Sequence, residues 1–370
     1  MTGAIPAELG SLTSLQFLYL QNNELTGTIP TEFGDLLNLN TMWISRTYLN
    51  GTIPTELGNL ANLEGLYLNN NELTGTLPTM LGNLTNLFDV RFYDNDYLTG
   101  PIPTEFGKLM DLEYLNLGGN DLNGTIPTEL GNITKLSSLS LGRNELTGII
   151  PTELRKLAQL EVLKLGTNML NGTIPSALDD LTNLELLQLD DNDFTGTIPK
   201  ELGNLAKLER LFLYRNELTG TLPMGLGNLT NLEILFLFDN ELNGTIPTEL
   251  GDLMNLEQLY IASNNFSGMI PAELGNLTNL EDLDLVENKL TGTIPTQLAQ
   301  LLKLEDLSLQ GNMFINDPDS GRAVPDEVCD LFDASIGSPL IEIILDNDNG
   351  RNSIENENDC DSAEFAQSTR

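Results

Sequence analysis

Residues 63–86 read LEGLYLNNNELTGTLPTMLGNLTN, and close variants of these 24 letters recur along the chain as far as residue 316. Prolines mark the step: Pro6, Pro30, Pro54, Pro78, Pro103, Pro127, Pro151, Pro175, Pro199, Pro223, Pro247, Pro271 and Pro295. A fixed period of this length signals a solenoid, in which no unit buries its own leucines and stacked neighbours build one continuous core. In Leu63-Glu64-Gly65-Leu66-Tyr67-Leu68, leucines 66 and 68 point one way and Gly65 and Tyr67 the other, the period of two expected for a strand. Strands of successive units then pair in parallel. Asn71 has a counterpart in every unit from Asn23 to Asn312 except where Thr47 stands. Such a column can hydrogen-bond the turn backbone of its own and the next unit, where polar groups are otherwise buried unpaired. The LTGTLP segment predicts a second, flanking strand, and PTMLGNL a short helical turn that starts at the proline.

This pattern resembles the plant-type leucine-rich repeat, whose LxGxIP segment is its distinguishing half. The resemblance covers about residues 1–316 in some thirteen copies. It implies an α/β solenoid, a right-handed horseshoe or superhelix with a parallel concave sheet, short flanking strands and short convex helical turns. Residues 1–316 then form the tandem repeats, and 317–370 a degenerate last repeat and C-terminal cap with an acidic, polar tail. Met1 falls directly into the TGxIP register, so the expectation is a fragment whose own N-terminal cap lies elsewhere. At the other end Leu340, Ile343 and Leu345 predict a fourteenth strand. Cys329 and Cys360 flank it as the disulfide caps of extracellular leucine-rich repeats do; two unpaired thiols of a cytosolic protein are the alternative.

Fifty-four acidic residues against 17 basic ones, with no histidine, give a net charge of −37. That field repels nucleic acid and anionic membranes. No apolar run approaches the roughly 18 residues a membrane helix needs, so no membrane contact is expected of this segment. Without histidine there is no imidazole base, and no phosphate-binding glycine loop is present, so the segment is expected to be neither an enzyme nor a cofactor or metal binder. Family analogy leaves room for a kinase domain in a longer parent protein. Nine sequons, among them Asn83, Asn132 and Asn228, arise mostly from the NGT and NLT words of the repeat itself. A column of glutamates from Glu161 to Glu305 reads as a solvated rim, and the TxT pairs of LTGT as ordinary repeat consensus.

The informative positions are those the repeat does not dictate, on the outward face of the first strands. One aromatic patch gathers Phe17, Tyr19, Trp43, Tyr67, Tyr93 and Tyr114; a second gathers Phe212, Tyr214, Ile234, Phe236, Phe238 and Tyr260. Between them Gly118, Gly142 and Gly166 predict a smooth groove open to a ligand backbone. Basic residues are scarce, yet Arg46, Arg91, Arg143, Lys164, Arg210 and Arg215 lie on or beside this face. Aromatic and arginine side chains dominate interface energetics, and guanidinium groups capture carboxylates bidentately. The expected ligand is a peptide or protein lying along the concave sheet across repeats two to eleven, with its acidic group at Arg210 and Arg215. The resemblance further implies an extracellular or cell-surface receptor or co-receptor ectodomain, or a secreted relative, with a co-receptor as a second partner. The alternative is a structural or adhesive protein that binds wall polysaccharide or a copy of itself.

Overall fold

The computed structural model describes residues 1–315, 328, 342–347 and 350–354. Its contacts divide the chain into two units, Met1–Asp193 and Phe194–Arg370. In the first unit, eight three-residue strands from Phe17–Tyr19 to Leu186–Gln188 pair in parallel as part of one sheet, termed sheet I. A second sheet, sheet II, runs from Thr2–Ala4 to Met169–Thr173 in this unit. The second unit repeats the scheme. Its sheet I strands run from Arg210–Phe212 to Asp306–Ser308, and its sheet II strands reach Met313–Phe314. Thirteen short sheet I strands therefore stand where the LxxLxL words predict them. Glu342–Asn347 pairs in parallel with Asp306–Ser308, as the degenerate fourteenth repeat predicts. Gly350–Ile354 returns antiparallel to it, a hairpin that the polar composition of this tail did not suggest.

From the second repeat on, each unit of sequence buries its core leucines. Leu63, Leu66, Leu68, Leu73, Leu84 and their counterparts there are at or near zero exposure, each contributing roughly 1.5–3 kcal/mol by leaving water, while Leu12 of the first repeat stays 47% exposed. The sheet II strands differ from expectation. They span Glu72–Thr76 and its equivalents and stop short of the Leu-Pro pair. Pro78 is instead the extended residue, φ −65° and ψ 127°, that precedes a five-residue 3₁₀ turn over Thr79–Asn83. These 3₁₀ turns stack so closely that a Cβ added to Gly58 would lie 2.6 Å from both Cβ and the carbonyl oxygen of Met80 in the next repeat. No helix among the described residues is long and apolar enough to cross a membrane.

The asparagine column forms a ladder, and its direction corrects the sequence reading. Asn192 donates from Nδ2 to the Leu189 and Asp190 carbonyls of its own repeat and to Leu165 of the preceding one, and its Oδ1 accepts the Leu170 N–H at 3.0 Å. The links run to the preceding unit, not the next. At the odd position Thr47 donates its hydroxyl to Asn71 Oδ1, while Asn71 Nδ2 reaches back to Ile44. One extra residue follows Asn95, and there Asn120 Oδ1 accepts the N–H of Asn95 itself, while Leu98 N–H turns back to the Asn95 carbonyl. Both departures are local, since the strand pairing continues on either side. A second, exposed ladder went unread in the sequence: Asn38, Asn62 and Asn86 each donate to a carbonyl 25 residues earlier.

Replacing Asn192 by alanine should cost about 1–3 kcal/mol, because it strands buried backbone groups in the turn. Asn62→Ala removes one exposed bond, whose groups water can satisfy, and should cost less than about 1 kcal/mol. Chemical denaturation of the two variants checks the pair; equal losses would reject the ladder as the main restraint on the turn.

Candidate functional site

Side chains of sheet I alternate between the leucine core and the outward face, and register places equivalent outward residues side by side. Phe17, Thr41 and Gly65 form one column, and Tyr19, Trp43, Tyr67 and Arg91 the next. In the first unit this makes a chain of rings. Phe17 and Tyr19 have centroids 6.1 Å apart, Tyr19 meets Trp43 edge-on at 6.2 Å, and Trp43 lies 5.3 Å from Tyr67. Arg91 caps the row over the Tyr67 ring at 5.5 Å. Phe17 and Tyr19 remain 52% and 54% exposed, apolar area that costs solubility unless a partner covers it. Tyr114 stands apart, without a ring partner among the described residues.

Two groups that the sequence reading passed over set the electrostatics here. Asp89 is buried, two residues before Arg91 on the same strand, and grips the guanidinium with bonds of 3.0 and 2.8 Å. Arg91 is thus committed inside the protein. The bond to Asp89 raises its pKa, against a smaller opposing effect of burial. Ser45 accepts the Trp43 Nε1–H and fixes the indole. Trp43, Tyr67, Tyr93, Arg46, Arg91 and Asn69 line a recess of about 270 Å³. Arg46 rises beside it from a left-handed turn residue, φ 55°. Arg143 occupies the equivalent turn position, 4.0 Å from Asp94, and Lys164 is half-buried on the same sheet face. The expected smooth groove has a packing cause: a Cβ on Gly142 would sit 2.9 Å from the Gly166 carbonyl.

In the second unit the rings pack more tightly. Tyr214 stacks on Phe238 and Phe236 on Tyr260, both at 4.4 Å with planes within 10°, and Phe212 meets Phe236 edge-on at 5.3 Å. Arg210 lies 3.8 Å from Glu209, and Arg215 lies 3.5 Å from Asp239. Both arginines are about half exposed, and an ion pair placed like that of Arg210 is weak, so its guanidinium can turn to a ligand anion at little cost. Asp282 accepts bonds from Gln258 and from the Tyr260 hydroxyl. Phe238, Tyr260, Asp284, Val286, Glu287 and Gln310 line a recess of about 370 Å³. Burial raises the Asp284 pKa, opposed in part by the Val286 N–H. Cys329 and Cys360 lie outside the described residues.

Leucine-rich-repeat family models match residues 14–36, 62–84, 111–133, 134–194, 207–229, 231–253 and 254–314. No curated protein sequence matches the chain. Among solved structures, it is similar to PEPR1 in its crystal structure with AtPEP1, with 32% identity over 89% of this chain and 49% of that one, TM-score 0.78. It is similar to a plant peptide hormone receptor, RGFR1, in complex with RGF2, with 33% identity over 93% of this chain and 61% of that one, TM-score 0.66. A leucine-rich-repeat protein of Leptospira interrogans is 34% identical over 85% of this chain and 82% of its own, TM-score 0.64. The chain therefore spans about half to three fifths of the length of these receptors.

Tyr67 and Tyr260 are both pushed up to about 12, first by burial and then by the carboxylates of Asp89 and Asp282. Their folded pKa lies above that of a free phenol, so the native state holds these protons after the unfolded chain has lost them. The stabilisation is complete below about pH 10 and declines as pH rises toward 12. Phenolate absorbance should show late-titrating tyrosines, and Tyr67→Phe and Tyr260→Phe should each remove one. A variant that leaves the late phase intact would contradict its assignment.

Proposed function

Because this chain belongs to the plant-type leucine-rich-repeat family, we propose that it is a non-catalytic recognition module for a peptide or protein. In this reading it acts outside the cell, as a receptor or co-receptor ectodomain or a secreted ligand-binding protein. The observation that carries the reading is the placement of aromatic rings on the outward face of sheet I, exposed in the first unit and half-buried in the second, where the leucine core and the asparagine ladder require none. Rings held in contact with one another need little ordering on binding, which favours affinity. Arginines flank them in each unit. Arg210, which its own carboxylate partner holds loosely, would receive an anionic group of the ligand together with the nearby Arg215, while Arg46 would serve the first unit. The likeness to receptors solved with RGF2 and AtPEP1 supports a peptide as the occupant.

The test is selection of a random peptide library on the whole chain, followed by affinity measurements on variants. Trp43→Ala or Phe212→Ala should weaken selected peptides by about tenfold or more, according to which ring each peptide covers. Glu129→Ala, in a 3₁₀ turn away from sheet I, should leave affinity unchanged. Equal affinity for all three variants would place the site elsewhere.

A further inference from the structure

Between Arg215 and Lys289 the sequence holds twelve acidic residues and no basic one. The recess of the second unit opens within this stretch and its surroundings. Tyr260, Asp284 and Ser308 occupy three successive rungs of one column. The small side chain of Ala262, nearly buried, floors the space beside them. Tyr260 is immobilised, its ring stacked on Phe236 and its hydroxyl bonded to Asp282. Phe238 is likewise held by stacking on Tyr214.

Three carboxylates, Asp239, Asp284 and Glu287, dominate the polar lining beside the Ser263 and Ser308 hydroxyls and the Gln310 amide, and Asp239 already faces Arg215. Asp284 spends Oδ1 on the Val286 N–H, and its other oxygen has no partner among the described residues. Gln310 Oε1 is buried without a hydrogen-bond partner, an arrangement that a donor from outside would relieve. Glu287, itself a left-handed turn residue with φ 51°, stands at the rim, and its carboxylate accepts a long bond of 3.3 Å from the Ser263 hydroxyl. The later lysines of this unit are engaged elsewhere, Lys289 with Asn265 and Lys303 with Asn279. A volume of about 370 Å³ lies within the range of roughly 300–1,000 Å³ usual for small-ligand sites.

Aromatic walls, a partly buried carboxylate and a carboxylate-rich lining together point to an organic cation. We infer that this recess is a subsite for the guanidinium or ammonium group of a basic residue in the peptide ligand, seated between the Tyr260 ring and the carboxylates of Asp284 and Glu287. The inference rests on the peptide-binding reading above and adds a chemical requirement to it. A hard metal ion fits less well, since it asks for six or more oxygens and gains little from ring faces. Among the described residues no group of three or more acidic, histidine or cysteine side chains is placed to hold one.

Agmatine, a guanidinium and an ammonium joined by a four-carbon stem and so a carrier of both candidate head groups, is the probe, titrated against the whole chain by NMR with neutral butylurea as control. Saturable agmatine binding is expected, weakened at least about tenfold by Asp284→Asn and severalfold by Glu287→Gln, with no binding of butylurea. Asparagine keeps an acceptor for Val286 N–H, and Glu287 is exposed, so both variants should fold. Equal agmatine affinity in wild type and both variants, or equal affinity for butylurea, overturns the inference. Displacement of agmatine by micromolar calcium chloride overturns it too, in favour of a metal site. Library peptides separate the two levels of the argument. Peptides that require Phe212 but carry no arginine or lysine, and bind Asp284→Asn unchanged, would overturn the subsite and keep the peptide reading. Agmatine binding that Asp284→Asn abolishes, with no peptide selectable, would keep the subsite and overturn the peptide reading.

Discussion

One asparagine amide per repeat fixes this structure. The turn after each sheet I strand is buried, so its carbonyl and N–H groups must find partners inside the protein or cost the fold their full desolvation. Asn192 and its counterparts supply two donors and an acceptor in one planar group, which is what a turn with two spare carbonyls and one spare N–H requires. Because the carbonyls belong to two repeats, the same amide that closes a turn also sets the distance to the preceding unit. The leucine core below and the sheets on either side inherit that spacing.

Most of this was legible, because it repeats. The strand positions, the leucine core and the purpose of the asparagine column follow from the residues at 63–86, and the structure bears them out. What was misread depends on relations between repeats, which identical words cannot specify. Whether Asn192 reaches back to Leu165 or forward is decided by strand register. The extent of Glu72–Thr76 is decided by which backbone groups the neighbouring repeat offers, and proline has no N–H to donate, while the Pro78 carbonyl is taken by the Leu81 N–H of its own 3₁₀ turn. The outer ladder of Asn38, Asn62 and Asn86 hid at the end of the GNLTN word and its variants GDLLN and GNLAN, where asparagine looked like consensus filler.

The candidate sites were legible as residue types but not as electrostatics. Trp43, Tyr67 and Phe212 were evident because aromatic residues are few and stand outside the repeat consensus. The state of Arg91 was hidden. An acid two positions earlier on a strand shares its face, so Asp89 was readable as a partner in principle, but burial of that carboxylate is what turns the pair into an internal fixture. The acceptor-rich recess around Asp284 was concealed for a related reason: in a chain so acidic, one more carboxylate carries no signal until its surroundings are seen.

The ladder also determines how each unit would yield to force. Each rung adds to its bonds within one repeat others that reach only the adjoining repeat, so tension along the solenoid is carried by successive interfaces in series and not shared among many at once. An interface that opens hands its load to the next one without weakening those farther away. Under a pull at its ends such a unit would unravel by steps, each releasing 24 residues and roughly 80 Å of chain. It would behave as an extensible tether that yields gradually, where a compact domain of similar size would give way in one event.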